Sequence, residues 1–186
     1  LLIATGGLSY PTTGSTGDGF DFARKLGHTV TPLRPSLVSM QVYEGYVETL
    51  SGLSLKNVAL TVINNGKTTF SGQGEMIFTH TGISGPLVLT ASALTDDVGE
   101  CRALIDLKPA LSVEQLDKRL LRDFEQSKNK ELQNSLDALL PKKLILPLIK
   151  SAGIDPKVKV NALTKEQRLC LVKTLKALPL TVTGLG

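Results

Sequence analysis

The spacing of apolar and polar positions changes twice along this 186-residue chain. Residues 1–4, Leu-Leu-Ile-Ala, are a continuous apolar run that reads as the end of a buried strand. A glycine-rich tract follows, and Ser15-Thr16-Gly17-Asp18 has the spacing of a capping box, with Ser15 as N-cap and Asp18 at N3. A short helix is expected to about Leu26, with Phe22 and Leu26 on one face and Gly27 as the C′ residue. Pro32 and Pro35 predict an extended crossing segment.

From Leu37 the period shortens to two. Residues 37–43 and 54–63 read as strands; in the second, Leu55, Val58, Leu60 and Val62 supply an alternating apolar face with a slip near Lys56-Asn57. Asn64-Asn65-Gly66 is a hairpin turn, because Asn and Gly tolerate positive φ. Lys67 to Ser71 returns from it, and Glu75 to Thr79 adds another strand. Short strands punctuated by turns predict a small barrel or sandwich. Pro86 at a first helical position predicts a short helix over 86–94, and Arg102 to Leu107 is a further strand.

After Pro109 the period lengthens again. Ser112 with Gln115 at N3, and Thr164 with Gln167 at N3, each start a helix. Leu116, Leu120 and Leu121 form the apolar stripe of the first. Residues 130–140, 142–152 and 164–177 read as further helices, with a kink or break at Pro147. Leu180 to Thr183 returns to a β pattern. A β run after a set of helices marks the helices as an excursion from the β module.

Composition narrows the function classes. The hydrophobic fraction of 41% supports a packed core, while aromatics at 4% and the absence of Trp argue against an aromatic platform for nucleic acid. The net charge of +4 is uneven: residues 1–100 carry 5 Lys+Arg against 8 Asp+Glu, and 101–186 carry 16 against 9. Solvated helix faces are the simpler reading of that excess. Two cysteines outside any CxxC, with only His28 and His80, argue against a zinc site or a disulfide framework, and both Met and Cys read as core. No basic segment precedes the opening apolar run, and no apolar run is long enough to span a bilayer. A cytoplasmic protein without a membrane partner is expected.

Three places hold candidate chemistry. The opening loop places Gly6, Gly7, Gly14, Gly17 and Gly19 around a helix N-terminus, where bare backbone and free N–H groups suit a ligand. Its spacing is neither a P-loop nor GxGxxG, and Asp18 would compete with a phosphate for those N–H groups. Spacing alone weighs a ligand cradle and a simple capped turn evenly. His80, between two Thr residues before a glycine turn, is the one candidate proton shuttle, against the plainer reading of a hydrogen-bonded loop histidine. Gly82-Ile83-Ser84-Gly85 falls one residue short of a nucleophile elbow, so Ser84 reads as a turn or cap residue. Lys142, Lys143, Lys150, Lys157 and Lys159 lack interleaved aromatics and make a weak nucleic-acid site. Asp96-Asp97 reads as a polar turn.

ATGGLSYPTTGSTGDGF at 4–20, LRPSLV at 33–38, GLSLKNV at 52–58, GEMIFTHTGISGP at 74–86, IDLKP at 105–109 and LPLTVTG at 178–184 together resemble the BaiN/YhiN-like flavoproteins, also known as aminoacetone-oxidase-type or NAD(P)/FAD-dependent oxidoreductases. The TGDG at 16–19 also resembles the more distant fumarate reductase and aspartate oxidase flavoproteins. The resemblance implies an α+β chain from the middle of a longer enzyme. Residues 1–36 would end a Rossmann-like FAD domain, 37–108 plus 179–186 would form a β-barrel-like insert subdomain, and 109–178 a helical one. Thr5, Gly6 and Gly7 would line FAD, with Ser9, Tyr10 and Gly17 near the flavin. FAD would belong to the full-length protein and not be retained by this chain alone; NAD(P)H would be the second cofactor and a small organic molecule the substrate. The insert would shape the substrate cavity over the flavin; the resemblance assigns no catalytic residue, and His80 stays the one candidate from the sequence itself. The alternatives are a non-enzymatic module whose basic helical half docks an anionic partner such as RNA, or a platform for a partner subunit.

Overall fold

A computed structural model describes residues 2–95 and 98–186, so the Asp96-Asp97 pair lies outside the described residues. The chain divides into two compact units, 1–34 and 35–186.

In the first unit, residues 2–4 form no strand. An extended segment needs a partner for its N–H and C=O groups, and the described residues of this unit hold no second strand. The capping box is also absent. Helix α1 spans Asp18–Lys25, its N-cap is Gly17 at φ +90°, and no side chain caps it. That left-handed residue turns the chain between Ser15 and the helix, and Thr16 instead donates its hydroxyl to Asp18 Oδ1 at 3.1 Å. The other end is as the sequence predicts: Gly27 donates to the Arg24 carbonyl and His28 to that of Ala23, both at 3.0 Å, the paired bonds of a Schellman motif.

The second unit is a closed barrel of six strands with an attached helical segment, an α+β fold. β1 (Met40–Val42), β2 (Ser54–Asn64), β3 (Lys67–Phe78), β4 (Gly82–Ser84), β5 (Cys101–Asp106) and β6 (Leu178–Leu185) follow the order β1-β4-β3-β2-β5-β6, every pair antiparallel. Leu55, Val58, Leu60 and Val62 point into the core, and the slip is a bulge between Leu55 and Val58, with Asn57 at φ +55°. Asn65 and Gly66, at φ +50° and +76°, make the two-residue turn that joins β2 to β3.

Three expectations for the strands change. Leu37 sits at φ +55°, so β1 begins only at Met40. Residues 67–71 and 75–79 belong to one strand rather than two. The glycines between them read as a break, but Gly72 and Gly74 give up side chains so that Leu87 of helix α2 (Pro86–Ala93) can pack onto the sheet. Ser84 lies in β4, a strand too short for periodicity to show. A Cβ on Gly82 would overlap the Met40 carbonyl oxygen, which is why glycine stands where β4 meets β1.

Between β5 and β6, which are hydrogen-bonded neighbours, run α3 (Val113–Glu125), α4 (Lys142–Ser151) and α5 (Lys165–Lys176). Both predicted capping boxes form, at Ser112 and at Thr164. The buried stripe of α3 is Leu116, Leu120 and Phe124; Leu121 is exposed, since i, i+4, i+8 defines the face. Residues 130–140 are not a helix. Only Leu132–Asn134 make a 3-10 turn, because the backbone here bonds to a distant segment: Leu132 N–H to the Val158 carbonyl at 2.9 Å and Val160 N–H to the Lys130 carbonyl at 3.0 Å. Helix α4 runs through Pro147 without a break, held by the burial of Leu144, Ile145, Leu148 and Ile149. Lys176 fastens the helices to the barrel: its Nζ lies 2.6 Å from the Asp106 carboxylate and donates to the carbonyls of Lys108 and Leu111.

Candidate functional site

The sequence-predicted ligand residues Thr5, Gly6, Gly7, Ser9, Tyr10 and Gly17 all lie in the first unit, and the fold of that unit brings most of them onto two adjoining runs. Residues 5–8 lie along 15–19. A Cβ added to Gly6 would come within 2.9 Å of Ser15 Oγ, one on Gly17 within 2.8 Å of a Leu8 methyl, and one on Gly19 within 2.5 Å of Thr5 Oγ1. The glycines therefore let the two runs touch through backbone. Gly7 differs: a Cβ there would meet nothing within 4 Å. Its bareness is not needed by the chain itself, which leaves the backbone free to face a ligand.

Ser9 and Tyr10 lead into the 3-10 turn Pro11–Thr13. Tyr10 is exposed; its carbonyl accepts from the Thr13 N–H and the Thr13 hydroxyl. The free N–H groups that open α1 sit behind Gly17, with Asp18 and Asp21 in its first turn. Asp21 is ion-paired with Arg24 at 2.7 Å, and Asp18, which accepts from the Thr16 hydroxyl, is the carboxylate that competes with an anion for the N–H groups of this helix start.

His80 lies in the second unit, exposed on the turn between β3 and β4. The turn is closed by Thr79 on both sides of it: Thr79 N–H donates to the Gly82 carbonyl at 2.8 Å, and Gly82 N–H to Thr79 Oγ1 at 3.1 Å. The Thr81 carbonyl accepts from Val42 at 3.0 Å. His80 thus stands exposed on a turn whose flanking residues are hydrogen-bonded to each other and to β1. Among the described residues no cluster of His, Cys, Asp or Glu is arranged to hold a metal, and no helix is long and apolar enough to cross a membrane.

Cys101 is buried in β5, and burial pushes its thiol up from the ordinary value; Cys170, expected in the core, is exposed on α5. Its helix turns that position outward while Leu171, Val172 and Leu175 face in.

Residues 34–186 match the family described as the HI0933-like protein barrel and H2TH domain, and the chain belongs to that family. It is 37% identical over 164 residues to the ribosomal RNA dihydrouridine synthase of Haemophilus influenzae, covering 87% of this chain and 38% of that protein. It is 33% identical over 175 residues to the ribosomal RNA dihydrouridine synthase of Escherichia coli, covering 94% and 42%. Similarity extends, at 25% identity over 186 residues and 98% and 45% coverage, to the 3-dehydro-bile acid delta(4,6)-reductase of Clostridium scindens. The chain spans about two fifths of the length of the curated relatives it matches.

Proposed function

We propose, on the premise of this family membership, that the chain is the barrel-and-helix portion of a flavin-dependent reductase that saturates a carbon–carbon double bond conjugated to a carbonyl. Uridine in ribosomal RNA is the substrate this reading favours. The observation that carries it is the similarity, at 33–37% identity along 87–94% of the chain, to two ribosomal RNA dihydrouridine synthases. The more distant relative supports the reaction class. Dihydrouridine differs from uridine by two hydrogens across a ring double bond next to a carbonyl, and a delta(4,6)-reductase of a 3-oxo steroid acts on double bonds conjugated to that oxo group. Both need a hydride delivered to the far carbon of the conjugated system and a proton to the near one.

A bound flavin would supply that hydride, with NAD(P)H as the reductant that would recharge it. In this chain, Thr5, Gly6 and Gly7 would hold it through backbone, with Ser9, Tyr10 and Gly17 beside them. The carboxylate of Asp18 would disfavour phosphate at this end, leaving the ring as the part of the cofactor assigned to it. His80, on its closed turn, is the residue we assign to proton delivery. The barrel and helices would form the wall that shapes the substrate cavity.

The test is a strain lacking the gene for the whole protein. Its ribosomal RNA, digested to nucleosides and read by mass spectrometry, should lose dihydrouridine, and the whole protein should restore it. The purified whole protein should carry near-stoichiometric flavin absorbance. Unchanged dihydrouridine in the deletion strain would sink the substrate assignment, and a flavin-free whole protein would sink the cofactor.

A further inference from the structure

Lys108 and Lys176 are the two lysines that the fold half-buries; the other lysines are exposed. Both sit where the chain passes between barrel and helices, Lys108 just after β5 and Lys176 at the end of α5. Lys176 is fully engaged, with the Asp106 carboxylate and the carbonyls of Lys108 and Leu111 as its partners. Lys108 is the opposite case. Its backbone is fastened: the N–H donates to Asp106 Oδ1 at 2.9 Å, and the carbonyl accepts from Lys176 Nζ and from the Leu111 N–H, both at 3.1 Å. Its ammonium has no hydrogen bond or ion pair among the described residues.

The carboxylates at this junction are spent. Asp106 gives one oxygen to the Lys108 N–H and the other to Lys176. Asp123 of α3 is held by Arg119 at 2.7 Å and by Arg122 at 3.6 Å. The charge that acts on the Lys108 ammonium is a like one. Burial first, and the Arg119 guanidinium second, hold it below the ordinary lysine value. The amine is nevertheless not sealed. Among the described residues the side-chain nitrogen or oxygen buried without a partner is the Tyr46 hydroxyl, so Lys108 Nζ meets solvent. The stem is covered while the head reaches water.

A lysine in an ion pair keeps its proton, and its lone pair is unavailable. A partly desolvated lysine near another cation and away from carboxylates gives the proton up more readily, and the free amine is a nucleophile. The guanidinium that repels the ammonium also attracts an anionic reagent. We propose that Lys108 is a covalent modification site, at which an acyl phosphate transfers its acyl group to Nζ. The nitrogen lone pair forms a bond to the acyl carbon. The bond from that carbon to the phosphate oxygen breaks, phosphate leaves with the electron pair, and the proton lost from nitrogen goes to water. Nothing is oxidised or reduced. The product is a neutral amide, which removes one of two like charges and leaves the Lys176 clamp intact, since that clamp uses only the Lys108 backbone. The site stands independently of the reductase reading.

The test incubates the purified whole protein with acetyl phosphate and follows acetylation of each lysine by peptide mass spectrometry. Lys108 should react several-fold faster than Lys157 and Lys173, which are exposed and without an ion pair among the described residues. In R119Q the Lys108 rate should fall several-fold, toward theirs, because the repelling charge is gone and Asp123 is freed to pair with the ammonium. Unchanged rates at Lys157 and Lys173 show that the fold has survived the substitution. R119K, which keeps the charge, should retain most of the parent rate at Lys108. A Lys108 rate no higher than those of Lys157 and Lys173 would overturn the proposal, and so would a Lys108 rate that R119Q leaves unchanged. The readout needs neither flavin nor turnover, so its failure is separable from failure of the reductase reading.

Discussion

Arg168 of α5 grips the Asp117 carboxylate of α3 with two nitrogens, Nε at 2.6 Å from Oδ1 and a terminal nitrogen at 3.3 Å from Oδ2. Both side chains are about four-fifths buried. The pair joins two packed helices whose buried positions are otherwise mostly apolar, so its directional geometry bears on their register as well as adding attraction.

Removing one partner leaves the other charge largely buried and unpaired. R168A and D117A should each cost about 2 kcal/mol in urea denaturation, and R168K about 1 kcal/mol, since an ammonium cannot reproduce the fork. The exposed pair Arg24–Asp21 serves as control, with D21A costing less than about 0.5 kcal/mol. An R168A variant as stable as the parent would show that apolar packing alone sets the register.

Gly7 offers a test of the proposed flavin contact in which the fold should not fail. A side chain there meets no atom of the chain. G7V in the whole protein should therefore melt within a few degrees of the parent, yet purify with several-fold less flavin absorbance. Full flavin content in G7V would remove Gly7 from the cofactor site.

Tyr46 makes stability fall at high pH. Its pKa is about 12 in the folded chain, against 10.0 for an unperturbed tyrosine. The unfolded chain therefore binds fewer protons between about pH 10 and 12, and the linkage slope is negative in that window. Stability should be flat from this source below pH 10, decline through the window, and level off above 12. Denaturation as a function of pH checks this, and Y46F should remove the extra decline. A Tyr46 ring resonance titrating at the unperturbed value would contradict it.

The two thiols should separate cleanly. Cys170 is exposed and Cys101 lies buried in β5, its thiol held up by desolvation. A disulfide reagent should modify one thiol per chain quickly in native buffer and the second only on unfolding. Two fast thiols would mean that β5 opens readily.

Much of this fold is written in local patterns. Ser112 with Gln115, Thr164 with Gln167, Gly27, and the Asn65-Gly66 turn each act within a few residues of themselves, and each is found where its pattern places it. What the pattern misses depends on distant partners. The glycines of β3 read as a break until Leu87 is seen to occupy their space. The segment 130–140 has helical spacing, but its N–H groups go to the stretch near Val158. The assignment proposed for Thr5, Gly6, Gly7, Ser9, Tyr10 and Gly17 rests on resemblance, as glycine spacing is ambiguous alone.

Met40 pairs with Ile83 on one side and Leu185 on the other. A ribosome making this chain must therefore leave β1 unpaired on its second side until Leu185 emerges, roughly 7 to 30 s later at 5–20 residues per second. During that interval the free edges of β1 and β5 are exposed to neighbouring chains. A chaperone, or early folding of the helices as a shield, has to cover them. Strains short of either should lose this protein to aggregation during translation rather than to instability afterwards.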